Sequence, residues 1–214
     1  MKDNRMKHEW RKDEKEIYLP HSRPSCMVIP AFKFLTISGN GNPNSSFFGE
    51  YISALYMVSY AIKMNLKKGN DISGYNDYTV YPLEGVWDIR EEARKDFNGK
   101  INKDDLVFTL MIRQPDFVPG TYVEEMIVQT KEKKHLPLLD QLKFETIDEG
   151  LCVQMLHKGS FDDEPESFAK MEAFISGNGL TRISKRHREV YLSDFRKVEP
   201  SKLKTVLRFK AERL

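Results

Sequence analysis

Ala31-Phe32-Lys33-Phe34-Leu35-Thr36-Ile37-Ser38, the turn Gly39-Asn40-Gly41-Asn42-Pro43-Asn44 and the run Phe48-Gly49-Glu50-Tyr51-Ile52-Ser53-Ala54-Leu55-Tyr56-Met57-Val58-Ser59-Tyr60-Ala61-Ile62 decide the fold of this chain. Residues 31–38 follow Pro30 and read as a strand closed by a turn-rich segment. Phe48, Tyr51, Ile52, Leu55, Val58, Ser59 and Ile62 then recur at three- and four-residue spacing. That spacing predicts a helix over 46–68 whose apolar stripe packs on a sheet. Strand patterns follow at 78–89 and 106–113, joined by a polar connection holding Asn98-Gly99. The unit is β-α-β-β.

A second unit follows a connecting helix predicted at 121–134, which ends in Lys131, Lys133 and Lys134, cations suited to a helix C-terminus. It starts with a strand at 151–157 and turns at Gly159. Asp163 with Glu166 three residues later forms a capping-box pattern before a helix carrying Phe168, Met171, Phe174 and Ile175. Gly177-Asn178-Gly179 stops that helix, and strands are expected at 188–192 and 204–210. At an offset of about 120 residues Gly39 meets Gly159, Phe48 meets Phe168, Tyr51 meets Met171 and Leu55 meets Ile175. Either the chain is duplicated or a shared periodicity produces the match. A duplicated α+β fold has antiparallel sheets with a helix on one face of each half. The uncovered faces would then meet in a ligand cleft between the halves.

Composition sets the outer limits. The 214 residues are 40% hydrophobic and 31% charged, with 12 Gly and 10 Pro, which excludes collagen-like, disulfide-scaffold and wholly disordered classes. Lys+Arg 34 against Asp+Glu 32 leaves +2, too little excess charge to drive binding to nucleic acid or an anionic membrane. Cys26 and Cys152 each sit in an apolar strand-like run, as buried free thiols of a reducing compartment do. No apolar run approaches the roughly 20 residues that span a bilayer, and the N-terminus lacks an apolar signal core, so a cytoplasmic protein is expected. Residues 1–16 are a charged arm, frayed or helical, with only Met6 and Trp10 apolar and no room for a DNA-reading helix-turn-helix. Residues 17–214 form one domain, with halves at about 26–118 and 141–214 around a connecting helix near 119–140.

The strand Arg188-Glu189-Val190-Tyr191-Leu192 carries the chemistry. Alternation puts Val190 and Leu192 on one face, suited to the core under the helix, and sends Glu189 and Tyr191 together into the cleft. A carboxylate among aromatic walls attracts organic cations, each ring face adding about 0.5–2 kcal/mol. Desolvation would also fit Glu189 for proton transfer, with Tyr191 donating to a developing oxyanion. The alternative is a surface strand with Glu189 in water or paired with Arg188 or Arg186. Tyr81, Trp87, Phe108, Met111 and Met155 are candidate ligand contacts, since rings stack and Met adapts its shape; the alternative for each is ordinary core. His157 joins them as a candidate, although a histidine beside a strand-to-helix turn more often satisfies a local backbone group. The five histidines show no metal-ligand spacing, so neither metal nor cofactor is expected. Gly39-Asn40-Gly41 lacks the rest of a phosphate loop, no Gly-x-Ser-x-Gly elbow exists, and neither cysteine has an activating partner.

Four blocks carry a resemblance. They are Tyr81-Pro82-Leu83-Glu84-Gly85-Val86-Trp87, Met111-Ile112-Arg113-Gln114-Pro115-Asp116-Phe117-Val118, Glu149-Gly150 through His157-Lys158-Gly159-Ser160, and Glu189-Val190-Tyr191-Leu192-Ser193-Asp194 followed by Leu203-Lys204-Thr205-Val206-Leu207-Arg208. In this order, beyond about Ile17, the chain resembles the stand-alone GyrI-like small-molecule-binding proteins, which are similar to the effector-binding domains of bacterial multidrug-responsive activators. The resemblance implies a pseudo-two-fold duplicated fold, an aromatic pocket between halves and a glutamate, matched by Glu189, for hydrophobic aromatic or cationic ligands. Some members hydrolyse the cyclopropane of DNA-alkylating natural products, which implies that Glu189 activates water while Tyr191 polarises the conjugated carbonyl. A monomeric xenobiotic-binding protein is expected, with cyclopropanoid hydrolysis or ligand-sensing through a partner protein as alternatives. Where many relatives carry further tryptophans, this chain has Asp88, Leu106 and Phe108, so its pocket is less tryptophan-rich.

Overall fold

The computed structural model describes residues 6–69, 72–95 and 101–214. In chain order these form two one-turn helices, α1 (Trp10–Asp13) and α2 (Lys15–Tyr18), then strands β1 (Ser25–Ile29) and β2 (Phe32–Asn40) and the long helix α3 (Phe48–Lys67). Strand β3 (Leu83–Ile89), the short α4 (Glu91–Lys95) and β4 (Leu106–Gln114) complete the first unit. Helix α5 (Gly120–Lys133) leads to β5 (Lys143–Ile147), β6 (Gly150–Lys158), α6 (Glu164–Ser176), β7 (Leu180–Arg182), β8 (His187–Tyr191) and β9 (Lys204–Arg213). Both β-α-β-β units are present, as β2-α3-β3-β4 and β6-α6-β8-β9.

One antiparallel sheet joins them in the order β1-β6-β9-β8-β3-β4-β2-β5, with β7 added on β9. The seam is β3 against β8, pairing Glu84 with Val190, Gly85 with Glu189, Val86 with Arg188 and Trp87 with His187. Outward from the seam the two units repeat the same strand order, which is the pseudo-two-fold. The leading strands are exchanged: β1 pairs with β6 of the second unit, and β5 pairs with β2 of the first. Ile29 therefore lies opposite Gly150 at one end of the sheet, while Phe32 lies opposite Ile147 at the other. A flat sheet of eight strands is about 34 Å across, and the two residues between Ile29 and Phe32 bridge about 11 Å. The sheet must curl until its ends approach at this corner.

The apolar stripe of α3 is buried as its spacing requires, through Phe48, Ile52, Leu55, Val58, Ser59 and Ile62. It packs on β2 and β4 on one side and on α5 on the other. Helix α6 covers the second unit through Met171 and Ile175, which meet Val153, Met155, Leu207 and Phe209. Both helices lie on the same face of the sheet.

Several expectations change in detail. Residues 78–82 are irregular, and the strand begins at Leu83. The strand-like run around Cys26 is the edge strand β1, and β5 is a second short edge strand, whose half-exposed residues do not alternate cleanly. The edge position of β1 also leaves Cys26 exposed, whereas Cys152 is buried as expected. Asp163 does precede α6, but its side chain accepts from Ser160 Oγ at 3.1 Å and caps no helix N–H. Gly41, not Gly39, is the structural counterpart of Gly159. Each directly follows its strand at positive φ, 108° and 131°. Asn98-Gly99 lies outside the described residues. The described part of the N-terminal arm carries the two short helices α1 and α2 and is docked: Trp10 is buried and its indole donates to Val80 O at 3.0 Å.

Candidate functional site

The alternation in β8 is real, but the two sides are exchanged relative to expectation. Val190 lies on the face away from α3 and α6, together with Arg188 and Glu84. Glu189 and Tyr191 lie on the helix-bearing face, over the seam between the two helices. The reason is register. Residues paired across a sheet share a face, and Trp87, opposite His187 and Phe108, packs its ring on Phe48 of α3. Glu189 and Tyr191 thus sit on the helix-bearing side of β8, with β3 beside them.

Gly85 creates the space for this arrangement. A Cβ there would sit 2.8 Å from Trp87 Nε1 and 3.0 Å from the Tyr191 hydroxyl. Trp87 Nε1 donates to that hydroxyl at 2.7 Å, and the Glu189 carboxylate is a charged neighbour of the phenol. Burial, and next the neighbouring Glu189 charge, hold the Tyr191 phenol well above its usual range, so it remains a donor. Phe48, Phe108, Phe161 and Phe195 complete a box of rings. Phe161 and Phe195 each lie 6.0 Å from the Tyr191 ring, edge-on.

Glu189 is only 7% exposed. Its hydrogen-bond partner is His187, whose Nε2 stands 3.1 Å from Oε1. Glu164, the first residue of α6, brings a second carboxyl into the same space. Potential ligand atoms of Glu164, His187 and Glu189 lie within 4.8 Å of one another, and among the described residues this is the one group of three able to share a metal ion. Burial, then the Glu189 charge, raise the Glu164 carboxyl well above its ordinary range. No motif flagged Glu164 or His187, because the three come from separate positions on α6 and β8.

The pairing of Glu189 with Arg188 does not occur. Arg188 points through the opposite face, donating to Glu84 at 2.6 Å and lying 3.0 Å from Glu149. Arg208 joins the network by donating to Glu149 and to Gln154, at 2.8 and 2.9 Å. The N-terminal segment seals it. Arg113 pairs with Glu14, Arg208 donates to Ile17 O, and Gln154 donates to Glu16 O. Three arginines thus meet three glutamates, a balanced interior that leaves Glu189 outside it. Burial opposes the charge on Glu149, but Arg188 and Arg208 outweigh it and keep the carboxyl below its usual value.

The other candidates separate. Trp87 is bonded to Tyr191, and Phe108 packs on Trp87 with ring centroids 5.4 Å apart. Tyr81 is buried near the arm, with its hydroxyl donating to Glu14 at 2.8 Å. It lines a groove of about 630 Å³ that also touches Tyr56, Tyr191 and Phe195. Met155 sits in the core under α6. Met111 faces the other side, 3.2 Å from Arg188 Nη1, in a cavity of about 830 Å³ lined by Thr36, Thr109, Arg188 and Arg208. His157 is spent locally, on Ser167 Oγ and Ser160 O at 2.9 Å each.

The GyrI-like small molecule binding domain matches residues 24–210, and the chain belongs to that family. Two solved structures from Listeria innocua, both described as hydrolases, are 32% identical with TM-scores of 0.85 and 0.87. They cover 96% and 97% of this chain, and all of their own chains are covered. The C-terminal domain of EcmrR shares the fold at 13% identity and TM-score 0.54, over 90% of this chain and 98% of that domain. No curated protein matches. No helix among the described residues is long and apolar enough to cross a membrane.

Proposed function

We propose that this protein binds hydrophobic aromatic compounds, cationic ones above all, on the helix-bearing side of β3 and β8, as a xenobiotic-binding protein. The observation that carries the reading is the buried Glu189, free of any lysine or arginine ion pair among the described residues and set among Trp87, Phe108, Tyr191 and Phe161. An unneutralised carboxylate in a dry site is costly, and a ligand cation offsets that cost while the ring faces add cation–π attraction. Phe161 and Phe195, both half-buried, are the rings that must part to admit a flat ligand. Titration with fluorescent aromatic cations tests the reading: wild type should saturate, and Glu189→Gln should lose about tenfold or more in affinity, the equivalent of about 1.4 kcal/mol. Equal binding by the variant would sink it.

A second reading has its own support, the Listeria relatives described as hydrolases at 32% identity. Here Glu189 would take a proton from water as the oxygen attacks a ligand cyclopropane carbon and breaks its ring bond; the bond's electron pair would move into a conjugated carbonyl polarised by Tyr191, and the resulting enolate would take the proton back from Glu189. A mass-resolved incubation with a cyclopropane-bearing alkylator distinguishes the two. Gain of one water, abolished in Glu189→Gln, supports turnover; unchanged alkylator beside saturable dye binding supports sequestration alone.

A further inference from the structure

Glu164 is the unexplained group of this site. It is 7% exposed, and its Oε1 is enclosed with no hydrogen-bond partner. The groups facing it from β8 are Glu189, His187 and Tyr191; from the turn before α6 it meets Asp162, which Lys103 pairs on the outside. The helix N-terminus favours a negative charge only weakly. His187 bonds Glu189 rather than Glu164. Two carboxylates this close in a dry site do not both stay ionised without a cation or a proton between them. A tetrahedral metal with bonds of about 2.0–2.1 Å needs donor atoms about 3.4 Å apart. Here they spread to as much as 4.8 Å. A proton on Glu164 meets the requirement with no rearrangement.

We propose that Glu164 is a specificity-determining second acid of this site: it carries a proton beside Glu189, and a cationic ligand arriving at Glu189 drives that proton off. The proposal rests on the binding reading above. It makes the charge of the pocket adjustable, one negative charge when empty and two around a cation, so cations are favoured over neutral aromatics of equal size. A unit positive charge about 5 Å from Glu164, at an effective dielectric near 20, raises its proton dissociation constant roughly two- to three-hundredfold.

The test is calorimetric titration of the full chain with rhodamine 6G, an aromatic monocation, and with a neutral aromatic of similar size. Each runs in two buffers of different ionisation enthalpy across the neutral pH range. Wild type should release up to about one proton per cation bound and none per neutral ligand. Glu164→Gln should bind the cation without proton release. No release from wild type, or release retained by Glu164→Gln, overturns the proposal while leaving the binding reading intact. Failure of every ligand to saturate instead overturns the binding reading. In that case the infrared carbonyl band of a protonated carboxyl, present in wild type at neutral pH and absent in Glu164→Gln, still decides whether Glu164 holds a proton. Stoichiometric zinc binding abolished by Glu164→Gln would also overturn the proposal, since the cluster would then hold a metal.

Discussion

Replacing Gly85 by Ala puts one methyl group at the centre of the proposed site. The added carbon would lie 2.8 Å from Trp87 Nε1, 3.0 Å from the Tyr191 hydroxyl and 3.2 Å from Leu110 Cδ2. The first approach is about 0.7 Å inside an ordinary contact of roughly 3.5 Å. Trp87 cannot swing away freely, because its ring is held by Phe48 and Phe108 at centroid distances of 5.8 and 5.4 Å. The movement that relieves the clash breaks the 2.7 Å bond from Trp87 to Tyr191. Overpacking costs about 1–3 kcal/mol and the lost buried hydrogen bond about 0.5–1.5, so about 2–4 kcal/mol of stability should disappear. Urea unfolding reads this as a lower midpoint at unchanged slope, and dye titration should show weakened binding from the same displacement. Gly49 in α3 is the control. A Cβ there meets nothing within 4 Å, so Gly49→Ala should be neutral or stabilising by up to about 1 kcal/mol. A Gly85→Ala protein that unfolds and binds like wild type would refute the packing of Trp87 against Tyr191 over the seam.

Glu149→Gln leaves Arg188 and Arg208 short of a shared carboxylate and should cost about 3–5 kcal/mol by denaturant titration. Because the folded Glu149 carboxyl sits below its usual 4.5, its stabilisation is full above that pH and is lost as pH falls through the lowered folded value. The Glu149→Gln protein should therefore show a shallower decline in stability in acid; an identical slope would contradict the assignment. Trp10→Ala should lower stability by about 3–5 kcal/mol in the same assay if the arm is docked as described, and leave it unchanged if it is frayed. Thiol titration of the native protein should find one accessible group, Cys26, and a second, Cys152, only after unfolding, since burial pushes the Cys152 thiol up to about 12. Two fast thiols would argue against a closed core at β6.

The duplicated units were legible because their helices announce themselves. The stripe from Phe48 to Ile62 and the one through Met171 and Ile175 have the spacing of one buried face, and both are buried. The pairing of the edge strands was not legible. β1 and β5 owe their pairing to an exchange between units, a long-range contact that no local pattern of Ser25–Ile29 or Lys143–Ile147 encodes. The pairing of Glu189 with Tyr191 on one face followed from alternation alone, yet the identity of that face did not. Arg188 and Glu84 form a buried ion pair on the opposite side, and a charged residue in a strand reads locally as solvent-facing. The same holds for Glu164. It stands in sequence among Asp162, Asp163 and Glu166, an ordinary acidic helix start, and only the approach of α6 to β8 turns it into a buried acid.

The most direct measurement is a crystal structure of the protein with a bound aromatic cation. The account predicts the cation between α3 and α6, stacked on Trp87 or Tyr191 with its charge toward Glu189 and with Phe161 and Phe195 displaced. A cation seated instead in the cavity on the other face of the sheet, against Met111 and Arg188, with Glu189 untouched, would contradict it.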